Sequence, residues 1–418
     1  MADIQNIIKP QLSKISLRKS SPLCAFASSI LFIYVCGISV YLWSSNFCRF
    51  RNLGEETPIV LSTAKWNIDQ RGRYVVIKNY IRAAIQPDKK QTVTFAAAAT
   101  FPELSNMPDI CGRWKGPMSV SVYAPGSDFK ISLRKILNLR LTNACIHQNV
   151  SWHLYFDAEF SPPWHKLKSP EEEAGLTTQS SSSYELWAKG TFKSHGHLPF
   201  PANVGRNVAI RESPTTLVLM SDLHYYPSTD IIPRFLELMK YQGPSNNRAY
   251  VLPVLKMTGY GKPPETKSEL VQMTADGNIV LPSSTMDCSK CNIFPHARKW
   301  LESRSPDNTL SVYYVSNDKE EFESWLPYYI STRDVPLFDE DQIREGKYDR
   351  KLQLLELCLQ HYEFHILDNA FLVQVQTVAE TLKDVDILQN FVHHNNEARE
   401  KKLEDLLCRY GLDTGCSI

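Results

Sequence analysis

Residues 22–43 contain no charged side chain. Within them Ala25, Phe26 and Ala27 lead through Ile30, Leu31, Phe32, Ile33, Tyr34 and Val35 to Val40, Tyr41 and Leu42. At about 1.5 Å per helical residue this run extends roughly 30 Å, the thickness of a bilayer core. Lys9, Lys14, Arg18 and Lys19 precede it, and only Arg49 and Arg51 follow closely. That bias keeps a short tail in the cytosol and sends the rest of the chain to the lumen. A cleaved signal peptide is the competing reading, but its apolar part is shorter and ends in small residues. This run ends in Tyr41, Leu42 and Trp43, an interfacial aromatic anchor. The expected order is a cytosolic tail (1–21), a transmembrane signal-anchor helix (22–43), a stem (44–70) and a lumenal body (71–418).

Lumenal placement changes the meaning of the cysteines. Cys48, Cys111, Cys145, Cys288, Cys291, Cys358, Cys408 and Cys416 all lie beyond the anchor, where disulfides persist. Cys288 and Cys291 have the spacing of a zinc knuckle, but no second pair accompanies them. They are candidates for disulfide formation in preference to a metal site. Asn149-Val150-Ser151 is an N-glycosylation sequon. The 46 basic and 45 acidic side chains leave a net charge of +1. No polycationic footprint is present, so nucleic acid is not an expected partner.

The body alternates strand and helix signals. Tyr74–Ile77, Thr92–Phe95, Ser119–Tyr123 and Ser151–Phe156 read as strands, and Ile131–Leu141 has a helical stripe. Residues 161–183 turn polar and read as a mobile surface insertion. Residues 204–210 suit a helix and 216–220 a buried strand, while 380–418 form a charged helical tail with a solvated face. The alternation predicts an α/β fold, a mixed, mostly parallel sheet flanked by helices.

In open α/β sheets ligands gather at the carboxyl edge of the strands. The apolar run ending at Met220 passes at once into Ser221, Asp222, Leu223 and His224. Two acids spaced Asp-x-Asp at such a place face one side and can hold a divalent ion against a diphosphate. Here Asp222 supplies the first acid and His224 takes the second position, so a capped strand end is the competing reading.

Several segments occur in a recognisable order. They are Gly72-Arg73-Tyr74, Arg113-Trp114-Lys115-Gly116-Pro117 with the strand after it, Asn203 to Ala209, and Leu217 to Ser228. Cys288 to Cys291, Trp300, Pro336 to Glu340 and Phe371-Leu372-Val373 continue the series. On these residues the chain resembles the dystroglycan-modifying glycosyltransferases, glycosyltransferase family 49, and more distantly the second domain of LARGE-type enzymes. The resemblance implies a GT-A-type nucleotide-sugar-binding fold behind an N-terminal transmembrane helix, in a type II Golgi membrane protein using a UDP-sugar donor, a glycan acceptor and manganese. It implies inverting transfer of glucuronic acid from UDP-glucuronate to a xylose-terminated O-mannosyl glycan in β-1,4 linkage. A β-1,3-N-acetylglucosaminyltransferase is the alternative within the fold. A non-catalytic member that assists other Golgi glycosyltransferases is the alternative outside catalysis.

Mapped onto this chain, Asp222 and His224 are the metal positions, and Arg206, Asn207 and Asp222 the donor-binding ones. Asp339 and Glu340 are the candidate catalytic acids on the acceptor side. Against these stand a helix salt bridge for Arg206, an edge histidine for His224 and a solvated loop for the two acids. The family pattern is broken at His224, at Gln374 where a histidine is the rule, and from Asp341 to Asp349. Trp114 and Trp300 read as core residues, and His296, His361, His365, His393 and His394 form no site.

Overall fold

A hairpin of β1 (Ile68–Arg71) and β2 (Tyr74–Ile81) opens the fold in the computed structural model of the chain. It turns at Gly72, whose φ of +52° lies in the left-handed region that glycine enters without steric cost. The structure describes residues 67–162, 190–242, 247–282, 293–316, 325–346, 349–375, 385–411 and 416. These belong to one unit spanning Pro58–Ile418. The expected membrane anchor, most of the insertion, and Cys288 with Cys291 lie outside the described residues. Among the described residues no helix is long and apolar enough to cross a membrane. Strand β1 starts at Ile68, inside the segment expected to be stem.

The centre of the sheet is the run of expected strands. β3 (Val93–Thr100), β4 (Met118–Tyr123), β5 (Val150–Asp157) and β6 (Leu217–Met220) lie in the order β5-β4-β3-β6, all parallel. Every residue of β4 and all but the last of β3 are buried, as strands covered on both faces require. Helix α1 (Met107–Trp114), α2 (Asp128–Thr142) and α3 (Ala144–Asn149) connect them. A Cys111–Cys145 disulfide ties α1 to α3. Trp114 packs edge-on against Phe95, a core residue as expected.

Helix α4 (Ala202–Arg211) precedes β6 and rests directly on the sheet. A Cβ at Gly205 would lie 2.6 Å from Tyr155 Oη and 2.9 Å from the Ala98 methyl. Only glycine permits that approach. It brings the next residue, Arg206, down onto the end of β6.

Beyond β6 the chain adds β7 (Tyr225–Pro227), α5 (Ile231–Gln242), β8 (Arg248–Leu252), β9 (Val254–Met257), β10 (Ile279–Val280), β11 (Ser311–Ser316) and β12 (Tyr328–Thr332). After these come α6 (Lys351–Leu359), β13 (Glu363–Asp368), β14 (Leu372–Gln374) and α7 (Val385–Tyr410). The large sheet runs β1-β2-β5-β4-β3-β6-β12-β8-β13-β11, and a second runs β10-β9-β14-β7. Only four of the nine pairings in the large sheet are parallel. The expectation of a mostly parallel sheet therefore holds for its centre, and β8-β13 is the further parallel pair. β12 inserts antiparallel between β6 and β8 from more than a hundred residues downstream, which no local alternation reveals.

Helix α7 is less solvated than its charge predicts. Asn395, Ala398 and Leu406 are buried, and the Asn395 amide accepts from Ile343 N at 2.9 Å and donates to Ile343 O at 2.8 Å. The helix thereby pins the segment carrying Arg344. A Cys358–Cys416 disulfide ties the residues beyond it to α6.

Candidate active site

Chain reversal after β6 places Asp222, Leu223 and His224 between β6 and β7, at the carboxyl edge of the parallel strands. The Ser221 amide donates to Ala96 O at 2.9 Å and the Tyr225 amide to Asp222 O at 3.1 Å. Leu223 is buried, and its carbonyl accepts from Asn106 Nδ2 at 2.8 Å. A buried leucine between two polar residues fixes the turn and sets their directions.

Both carboxylate oxygens of Asp222 accept from Arg206 Nη2, at 3.1 and 3.2 Å, and Oδ2 also accepts from the Tyr328 hydroxyl at 3.0 Å. Burial opposes ionisation of Asp222, but Arg206, then Arg344, outweigh it and hold the carboxyl well below the ordinary range. Arg206 is equally engaged. Its Nη1 donates to Asn203 Oδ1 at 2.8 Å and to Asp349, and its guanidinium lies 5.5 Å from the Phe338 ring centroid. At 2% side-chain exposure Arg206 is buried.

His224 is buried against Tyr225, ring centroids 4.2 Å apart. Burial, then the charge of Arg344, pushes its pKa down to about 4, so the imidazole is neutral at pH 7. Its Nδ1 lies 3.3 Å from Arg344 Nη2. A guanidinium only donates, so Nδ1 is assigned as the acceptor. Arg344 Nη1 donates to Glu103 Oε1 at 3.0 Å, and Glu103 Oε2 accepts from the Thr100 amide at 2.8 Å at the end of β3. Gln374 pairs with Tyr225 in the second sheet, and the His224 carbonyl accepts from Val375 N at 3.0 Å.

The acceptor-side candidates separate. Asn207 Nδ2 donates to Phe338 O at 2.9 Å and to Glu340 Oε1 at 2.8 Å, and its Oδ1 accepts from Phe338 N at 2.9 Å. Asn207 thus holds the 338–340 segment. Glu340 Oε1 also accepts from Arg71 Nη1 at 2.6 Å. Asp339 Oδ1 accepts only the Asp341 amide among the side-chain bonds described, at 3.1 Å, and burial raises its carboxyl above the usual range. Asn149 Nδ2 donates to Cys145 O at 3.1 Å, at the junction of α3 and β5. Trp300 is fully buried, with Nε1 donating to Leu367 O at 3.0 Å.

A divalent cation does not fit this donor set. It takes six or more oxygen ligands if calcium and an octahedral set if magnesium-like. Asp222 is already occupied by a guanidinium and a phenol, and the second position offers a neutral imidazole facing another guanidinium. Among the described residues no three His, Cys, Asp or Glu side chains converge to hold a metal.

The sequence brought Asp222, His224, Arg206 and Asn207 to notice and missed Tyr328, Arg344 and Glu103. Arg344 carries no local signature beyond lying in the stretch that departs from the family pattern.

Residues 92–410 match the family described as glycosyl-transferase for dystroglycan. Similar proteins include beta-1,4-glucuronyltransferase 1 of Danio rerio, 28% identical over 77% of this chain and 78% of its own. The Mus musculus protein of the same name is 26% identical over 73% of this chain and 72% of its own. Xylosyl- and glucuronyltransferase LARGE1 of Mus musculus is 21% identical over 73% of this chain and 34% of its own. Among solved structures, S. aureus TarS 1–349 in complex with UDP-GlcNAc covers 77% of this chain and 73% of its own at 10% identity. Its TM-score is 0.34. The match across most of the described body is decisive: the chain is a transferase that belongs to the family of glycosyltransferases for dystroglycan.

Proposed function

We propose that this protein transfers glucuronic acid from UDP-glucuronate to a xylose-terminated O-mannosyl-type glycan, forming a β-1,4 linkage with inversion. The observation that carries the proposal is the similarity to glucuronyltransferases over about three quarters of the chain. The acceptor hydroxyl oxygen forms the new bond to the anomeric carbon. The bond from that carbon to the diphosphate breaks with its electron pair leaving on UDP. The hydroxyl proton passes to a base, and inversion follows from attack opposite the leaving group.

Of the two acids we take Asp339 as the base, because burial raises its carboxyl, whereas Glu340 Oε1 is engaged by Arg71 Nη1 at 2.6 Å. We place the protein in the Golgi membrane as a single-pass type II protein with the fold in the lumen. The uncharged run 22–43 and the two described disulfides support that placement.

A donor screen tests the activity. UDP-glucuronate, UDP-xylose and UDP-N-acetylglucosamine are offered with a xylose-terminated acceptor, and the products are weighed by mass spectrometry. Glucuronyl transfer is expected. Transfer of N-acetylglucosamine supports the alternative of the same fold. No transfer from any donor supports a non-catalytic partner of other glycosyltransferases, a reading that the engagement of Asp222 by Arg206 favours.

A further inference from the structure

We propose that the Arg344 guanidinium, and not a divalent cation, neutralises the donor diphosphate in this protein. This deepens the transferase reading and rests on it. A carboxylate at position 224 would set a second negative charge against Arg344, beside that of Glu103. His224 stands there instead, with its Nδ1 3.3 Å from Arg344 Nη2.

Arg344 is also more accessible to a ligand than Arg206. Its side chain is 32% exposed, whereas Arg206 is 2% exposed and bound to Asp222, Asn203 and Asp349. Glu103 takes one amino group of Arg344, and a guanidinium retains further N–H donors in a planar fork suited to phosphate oxygens. Arg350 adds positive charge nearby, lying 4.0 Å over the ring of Tyr328, which itself bonds Asp222.

The cation is built in. The Arg344 amide donates to Phe200 O at 3.1 Å, and Glu345 accepts from Lys193 Nζ at 3.0 Å and Phe200 N at 2.7 Å. Asn395 clasps Ile343 one residue away. As the anomeric bond breaks, UDP gains one negative charge, and a fixed cation beside it needs no reorganisation to receive that charge.

The test is calorimetric titration of the full chain in detergent micelles with UDP and with uridine, in excess chelator and in saturating manganese. UDP is expected to bind equally in both, within about twofold. Arg344→Gln should weaken UDP about tenfold, the loss of one charge-assisted contact, and leave uridine binding unchanged. Arg344→Lys should recover part of the affinity. His224→Asp should make UDP binding depend on manganese. UDP binding to the wild type that disappears in chelator overturns the inference, as does an Arg344→Gln variant that binds UDP like the wild type. Binding of neither UDP nor uridine to any variant defeats the donor reading itself, and the inference with it.

Discussion

One amino group of Arg206 bridges both carboxylate oxygens of Asp222, at 3.1 and 3.2 Å, with side-chain exposures of 2% and 5%. The pair joins helix α4 to the end of β6, sixteen residues apart in sequence. Removing one member of a buried pair leaves an uncompensated charge and costs about 3–5 kcal/mol. Arg206→Met strands both Asp222 and Asp349. The double variant Arg206→Met with Asp222→Leu should be less destabilised than the two single changes summed. Denaturant titrations of all four proteins measure the coupling, and simple additivity would show that the pair carries no structural load.

His153 should make the fold sensitive to acid. It is fully buried, accepting the Asn79 amide at 2.8 Å on Nδ1 and sharing 2.9 Å with Ser119 Oγ on Nε2. Burial, then Lys78, pushes its pKa down to about 3 from 6.5. Below pH 6.5 the unfolded chain takes up a proton that the folded chain refuses, so stability falls as pH drops through this window and is full above it. The loss reaches about 3 kcal/mol near pH ~4, and His224 adds to it over the same range. His153→Gln should flatten the dependence of melting temperature on pH between about 6 and 4. An unchanged slope would assign acid sensitivity to other groups.

Linking Cys111 to Cys145 closes a loop across a sequence separation of 34. Loop-closure entropy puts its contribution at about 4 kcal/mol. Replacing both by serine should lower the melting temperature clearly under non-reducing conditions, and adding reductant to that variant should cause little further change attributable to this bond. Melts of equal temperature for the two proteins would show that the reduced pair is held together by packing alone.

Asn395→Ala should loosen the segment that carries Arg344. It leaves the amide and carbonyl of Ile343 without their partners, a cost of about 2 kcal/mol for buried groups. The Michaelis constant for the donor should rise more than the turnover number falls, because the cation is displaced and no reacting group is removed. Equal loss in both parameters argues for a different role.

The strands at the centre of the sheet were legible because each is a short apolar run bounded by turn residues. Helix α4 was legible from its spacing. Asp222 was found because it follows a buried strand, and Arg206 because it stands in a helix motif next to that strand. That the two bind each other was not legible, since it depends on how closely α4 lies over the sheet. Tyr328 and Arg344 reach the site across 106 and 120 residues of sequence, and no periodicity links positions so far apart. Asn395 was hidden for a different reason. A lone polar residue on a charged helix looks solvated until the segment it clasps is known.

The glycine contact beneath α4 bears on motion as well as spacing. Backbone resting on Tyr155 and Ala98 has no side chain of its own with rotamers to hop between. Heat therefore cannot loosen α4 there by the usual rearrangement of long side chains. Any drift of the helix must lift its whole backbone off the sheet. The Arg206 anchor accordingly inherits the stiffness of the sheet itself.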